Sequence, residues 1–328
     1  MKKTSIFLSI LGTCFGIGIV LIIVGTLMGG RIGDFSIKHP AEKESGVTHK
    51  LSDVSLTDTT DIKNIHLDLS ASSVEVRNGD AFGVTGGKLS KNEVSDGTWT
   101  IKTKHGFEIS FFGFHIDIPI PNDLFHFNKK ESAIVITIPE NAVLNSAYID
   151  LSAGDIDIEK LHCENDVTVD LSAGNVTIST LIAKKATFDL SAGDIDLKQY
   201  TITDSAFIDC SMGDITLGTK RTALDNSCNN LEMDCSMGNI DVFGKLTGKT
   251  NADSSMGDID LKLVGSNVNY TIENTDSSMG DISYNAQDFV NNSSNLSVSD
   301  DNTEYGSLNL SCSMGDIDIC YLYASAAP

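Results

Sequence analysis

Phe188-Asp189-Leu190-Ser191-Ala192-Gly193-Asp194-Ile195-Asp196-Leu197 alternates apolar and polar residues on both sides of Gly193. That is the period of a strand with one buried face. The two alternations meet at the glycine, which reads as a bend or bulge between short strands. The same pattern, Asp-x-Ser-[Ala/Met]-Gly-[Asp/Asn]-[Ile/Val], is centred on Gly154, Gly174, Gly193, Gly213, Gly238, Gly257, Gly280 and Gly315, the last copy opening on Ser311. Successive glycines are 20, 19, 20, 25, 19, 23 and 35 residues apart. A further copy, Asp68-Leu69-Ser70-Ala71-Ser72-Ser73-Val74, carries Ser72 in place of the glycine. A period of about twenty residues marks a solenoid, in which each repeat buries its apolar face only against its neighbours. The expected fold is all-β: coils of two or three short strands, stacked in parallel with the coils above and below.

Two positions flanking the serine change together along the chain. Leu151/Ala153, Leu171/Ala173 and Leu190/Ala192 are followed by Cys210/Met212, Cys235/Met237, Ser254/Met256, Ser277/Met279 and Cys312/Met314. A large-then-small pair becomes a small-then-large pair, keeping the summed volume roughly constant, as a close-packed interior demands. Both positions are therefore expected to face inward. Drift of a duplicated segment explains the blocks but not the kept volume.

Five segments are expected in chain order. Residues 1–30 hold a short stub and an uncharged run from Ile6 to Met28, long enough to span a bilayer as a helix. Lys2 and Lys3 precede that run, which leaves the amino terminus cytoplasmic and the remainder outside the cell membrane; a cleaved signal peptide is the competing reading. Residues 31–60 are polar and aperiodic and read as a linker. Residues 61–146 form an N-terminal β region with strands at Ile65–Leu69, Val74–Val76, Trp99–Thr103 and Ala133–Ile138. Its Phe107 to Phe127 stretch carries six phenylalanines, expected to cap the first coil or to form an aromatic patch. Residues 147–322 are the repeat solenoid, and 323–328 a tail.

Ala133-Ile134-Val135-Ile136-Thr137-Ile138-Pro139, followed by Ile149-Asp150-Leu151-Ser152-Ala153-Gly154-Asp155-Ile156 and the further Gly-Asp-Ile coils, resembles the bacterial putative adhesin family over roughly residues 60 to 320. The resemblance implies a right-handed parallel β-solenoid of the single-stranded β-helix type. It also implies an extracytoplasmic domain tethered by one membrane span in the envelope of Gram-positive bacteria. It brings no catalytic residues.

Charge narrows the function. The net charge is −22, which disfavours nucleic acid as a partner. The acids fall in columns. One runs Asp150, Asp170, Asp189, Asp209, Asp234, Asp253, Asp276; a second, just after the glycine, runs Asp155, Asn175, Asp194, Asp214, Asn239, Asp258, Asp281, Asp316. A third runs Asp157, Thr177, Asp196, Thr216, Asp241, Asp260, Ser283, Asp318. At a coil spacing of about 4.8 Å, like charges in a column repel. Two readings of the second column stand side by side. Asp and Asn after a glycine bond their own backbone in the turn, or Asp155, Asp194, Asp214, Asp258, Asp281 and Asp316 offer a non-obligate calcium site. No obligate cofactor is expected.

Of the seven cysteines, Cys210, Cys235 and Cys312 fall in inward columns as small apolar residues, and Cys163, Cys228 and Cys320 show no paired spacing; the odd number argues against a disulfide framework and leaves a bridge between neighbouring coils open. Carboxylates that repeat in every coil look structural, whereas a catalytic pair would be singular. No P-loop, nucleophile elbow or metal motif is present. The expected role is a membrane-anchored protein presenting an acidic interaction surface to cell-wall polymer, an envelope protein or a host surface ligand. The alternatives are an accessory in envelope-stress sensing and, further off, a polysaccharide-active β-helix enzyme.

Overall fold

The computed structural model describes residues 36–37, 53–55, 62–87, 89–103, 107–111, 114–118, 133–289 and 303–324. The span expected at Ile6 to Met28 lies outside them. Among the described residues no helix is long and apolar enough to cross a membrane. The chain divides into two compact units. In the first, Met1–Thr48 with His105–Leu124, the strand Phe107–Phe111 pairs antiparallel with both Ser36–Ile37 and Phe114–Ile118. The side chains of that phenylalanine-rich stretch lie outside the described residues, and so does the capping role expected of it.

The second unit is all-β and solenoid-like, built from parallel strands that meet at the repeated glycine. The strands before the glycine stack in one ladder. Its inward column runs Leu69, Leu151, Leu171, Leu190, Cys210, Cys235, Ser254, Cys312, Ser277. The strands after the glycine stack in a second ladder, with an inward column Val74, Ile156, Val176, Ile195, Ile215, Ile240, Ile259, Ile317, Ile282. Alternation sends every second residue into the space between the ladders, where Leu171, Leu190, Ile195, Ile215 and Ile259 are fully buried. The hairpin of Leu89–Ser95 and Thr98–Thr103 closes the amino-terminal end of the first ladder. There Trp99 is buried edge-on to Phe82 and donates its indole N–H to Asn92 Oδ1 at 2.8 Å. Asp53–Ser55, inside the expected linker, pairs antiparallel with Gly83–Thr85.

Gly193 is the expected bend, and its backbone cannot take a side chain. Its φ is 133°, and a Cβ there would lie 1.8 Å from the carbonyl oxygen of Gly174 in the preceding coil. Positive φ and close backbone approach both require glycine.

Sequence order and stacking order part company at the carboxyl-terminal end. The strand Gly306–Cys312 pairs with Ile240–Ser254 on one side and with Tyr270–Ser277 on the other. Ile317–Ala324 likewise lies between Ile259–Val264 and Ile282–Phe289. The Gly315 coil is therefore inserted between the Gly257 and Gly280 coils, and among the described residues the Gly280 coil is the end rung. Gly315 follows Gly280 by 35 positions, the longest step between repeated glycines. Burial follows the stacking: Leu308, Leu310, Ile317 and Ile319 are fully buried, whereas Ile272 and Tyr284 of the end rung are exposed.

The expected pairing of inward volumes is corrected by the same geometry. Leu190 and Cys210 end their strands and are fully buried, but Met212, Met237, Met256, Met314 and Met279 are 42–64 % exposed. In the methionine coils alternation stops where the strand stops, so the residue two places beyond the inward cysteine or serine sits in the turn and points out. What changes inside is a donor. Cys210 Sγ lies 3.3 Å from the Gly193 carbonyl, Cys235 Sγ 3.4 Å from Gly213 and Cys312 Sγ 3.1 Å from Gly257. Ser254 Oγ donates to the Gly238 and Gly257 carbonyls, and Ser277 Oγ to Gly315. Replacing leucine by cysteine or serine thus brings a hydrogen-bond donor to the turn carbonyls. The six described cysteines are all buried free thiols.

Candidate functional site

The outward residues of the first ladder form a continuous face. Its acidic column runs Asp68, Asp150, Asp170, Asp189, Asp209, Asp234, Asp253, Ser311, Asp276 in space. Ser311 separates Asp253 from Asp276 because the last coil is inserted there. At the other end Lys102 Nζ pairs with Asp68 at 2.6 Å. Partial desolvation raises the Asp170 carboxyl above its ordinary pKa, with the charges of Asp150 and Asp189 adding to the effect. Asp209 is raised in the same way, by desolvation first and then by Asp234 and Asp189.

Beside the acids runs a second outward column, His66, Tyr148, Thr168, Thr187, Phe207, Glu232, Asn251, Asn309. His66 and Tyr148 meet edge to face at 5.0 Å. Desolvation, followed by the charges of Asp150, Asp170 and Asp68, raises the Tyr148 phenol. Phe207 is 40 % exposed and lies between two adjoining shallow depressions. One is lined by Lys185, Thr187, Glu232 and Lys249, the other by Asp234, Asp253, Asn309 and Ser311. An exposed ring among amides and carboxylates offers an apolar platform and hydrogen-bonding groups on one flat surface. Phe207 was not singled out from the sequence, although its place two residues before Asp209 puts it on the same face.

The post-glycine column is a ladder of another kind. Asp155 Oδ1 accepts from the Asn175 N–H at 3.0 Å, Asn175 Oδ1 from Asp194, Asp194 Oδ1 from Asp214, and Asp214 Oδ1 from Asn239. Asn239 Oδ1 continues to Asp258, Asp258 to Asp316, and Asp316 to Asp281. The expectation that these side chains bond their own turn is corrected: each oxygen bridges to the next coil. Asp and Asn interchange here because both carry Oδ1. Among the described residues no group of three or more His, Cys, Asp or Glu is placed to hold a metal ion.

In the third column Lys262 Nζ reaches Asp241 at 2.9 Å and Asp260 at 3.1 Å. Burial pulls the Lys262 ammonium down, and the hydrogen bonds and charges of the two aspartates outweigh it, leaving the pKa raised. Ser283 Oγ donates to Asp318 Oδ1. Repulsion in this column is thus met locally by a cation and a hydroxyl, whereas the outward column of the first ladder ends in one lysine.

No curated protein matches the chain. Among solved structures, it is similar to a putative adhesin from Bacteroides fragilis at 16 % identity and a TM-score of 0.43, covering 82 % of this chain and 94 % of that one. It is also similar to a putative cell adhesion protein from Clostridium sporogenes at 11 % identity and a TM-score of 0.21, covering 80 % of this chain and 95 % of that one. The family model described as Toastrack DUF4097 matches residues 62–320, the stretch that carries both ladders, and the chain belongs to that family.

Proposed function

We propose that this chain is an adhesin-like interaction module of the cell envelope, held by its 6–28 span with a right-handed solenoid outside the membrane. The observation that carries it is the outward column of aspartates from Asp150 to Asp253, set beside Phe207 on one regular face. Such a face suits an extended partner that brings positive charge to a repeating acidic row and an apolar group to the exposed ring. Wall polymer, an envelope protein or a host surface ligand with that chemistry would fit. The carboxylates recur at successive coils from Asp150 to Asp253, so the module acts by binding and not by catalysis.

The test offers immobilised full-length chain a cationic polymer, polylysine, against a neutral polysaccharide and an anionic one. The expected result is retention of the cationic probe, weakened by salt and lost in an Asp189→Asn/Asp209→Asn/Asp234→Asn variant. Equal retention of all three probes by both proteins would overturn the proposal.

A further inference from the structure

Met212, Met237, Met256, Met314 and Met279 occupy successive rungs. The Gly213 N–H donates to the Met237 carbonyl, Gly238 to Met256, Gly257 to Met314 and Gly315 to Met279, each within 2.8–3.1 Å. All five side chains are exposed, by 48, 42, 42, 42 and 64 %. Methionine is usually found inside proteins, so an unbroken exposed row of five calls for an explanation. The three preceding coils carry Ala153, Ala173 and Ala192 at this place. A merely apolar strip would accept leucine, valine or isoleucine at some rungs. What the five share, and those residues lack, is a thioether sulfur.

We propose that this row is a thioether ladder that binds a soft monovalent cation of the copper(I) or silver(I) type. Thioether and thiolate ligands select such ions, whereas calcium and magnesium take oxygen. Stacked strands repeat at about 4.8 Å, and sulfurs brought to that same spacing would leave an ion midway between them about 2.4 Å from each, close to the metal–sulfur length of about 2.3 Å in zinc sites. The unbranched methionine side chain has the rotatable bonds to reach that geometry. Asp214, Asp258, Asp316 and Asp281 stand two residues beyond their methionines, and the net charge of −22 concentrates cations at the surface. The thiols of Cys210, Cys235 and Cys312 lie on the buried side of the same turns, directed at glycine carbonyls.

The experiment uses full-length chain with carbon-13 in its methionine methyl groups and silver(I) as the probe. The expected result is movement of the methyl signals of Met212, Met237, Met256, Met279 and Met314, while the buried Met233, 1 % exposed, stays fixed. Met237→Leu, which keeps the shape, leaves Met212 with no neighbouring sulfur and should abolish its shift, while Met256, Met314 and Met279 still move. A triple variant, Met237→Leu/Met256→Leu/Met314→Leu, should lose this binding with its melting temperature unchanged. Calcium should leave all the signals in place. Silver binding with unmoved methionine methyls would assign the ion to the thiols and overturn the proposal, as would equal binding by wild type and the triple variant.

Discussion

The Gly315 N–H donates to the Met279 carbonyl at 3.1 Å, which places the last coil of the sequence inside the coil that precedes it. Among the described residues the Gly280 coil is thereby left as the end rung. In a solenoid each rung is stabilised by its neighbours, so position in the stack, and not position in the sequence, decides how much a rung contributes.

Leu310 should therefore behave as a mid-stack core residue. It is fully buried, and Leu310→Ala is expected to cost about 2–5 kcal/mol in denaturant unfolding, in the range of Leu171→Ala. Ile272→Ala, at a site 37 % exposed in the end rung, should cost distinctly less. Amide exchange gives a second readout, with Leu310 protected more strongly than Thr275. A mild Leu310→Ala would place the Gly315 coil at an open end.

Gly193→Ala should be among the most disruptive single changes in the chain. The added Cβ meets backbone, not a side chain that can swing away, and the φ of 133° is one that alanine avoids. A loss of more than about 2 kcal/mol is expected. Gly83→Ala is the control, since nothing lies within 4 Å of its Cβ position. Similar stabilities for the two variants would contradict the close approach at the turn.

Met212→Ala should change stability by no more than about 0.5 kcal/mol, as expected for a surface site. Volume compensation in the core would instead have required a large loss. The two outcomes separate on a single unfolding curve.

How far the fold could be read in advance follows from these residues. The burial of Leu171, Leu190 and Ile195 and the outward row of Asp170, Asp189 and Asp209 were legible, because strand alternation fixes both faces at once. The placing of Met212 was not, because Cys210 ends its strand and alternation says nothing about the turn beyond it. Nor was the coil order. Ser278-Met279-Gly280-Asp281-Ile282 and Ser313-Met314-Gly315-Asp316-Ile317 are identical phrases, so either coil fits beside Gly257 on local grounds. The Oδ1 ladder left one trace, the interchange of Asp with Asn175 and Asn239. That trace also fitted relief of repulsion, and only the cross-coil N–H distances distinguish the two.

The acidic column gives a pH dependence with a definite sign. The raised carboxyls of Asp170 and Asp209 hold a proton more tightly in the folded chain than in the unfolded one. Their contribution to stability therefore rises as pH falls through the folded pKa values, and is complete below the unfolded value of about 3.9. Asp170→Asn/Asp209→Asn should be more stable than wild type at pH 7, and that advantage should shrink towards pH 4. Melting both proteins across this range checks it. An advantage constant with pH would mean that the two carboxylates feel neither desolvation nor their neighbours.

Both outward rows, acidic and thioether, depend on the order in which the coils stack, and engineered cysteines in the exposed turns test that order directly. A disulfide needs Cα atoms within about 7 Å, a reach that covers one rung and not two. Met256→Cys/Met314→Cys and Met314→Cys/Met279→Cys should cross-link under mild oxidation, and Met256→Cys/Met279→Cys should not. Ready bridging of positions 256 and 279, with none between 256 and 314, would mean that the coils stack in sequence order and would contradict the structure at its centre.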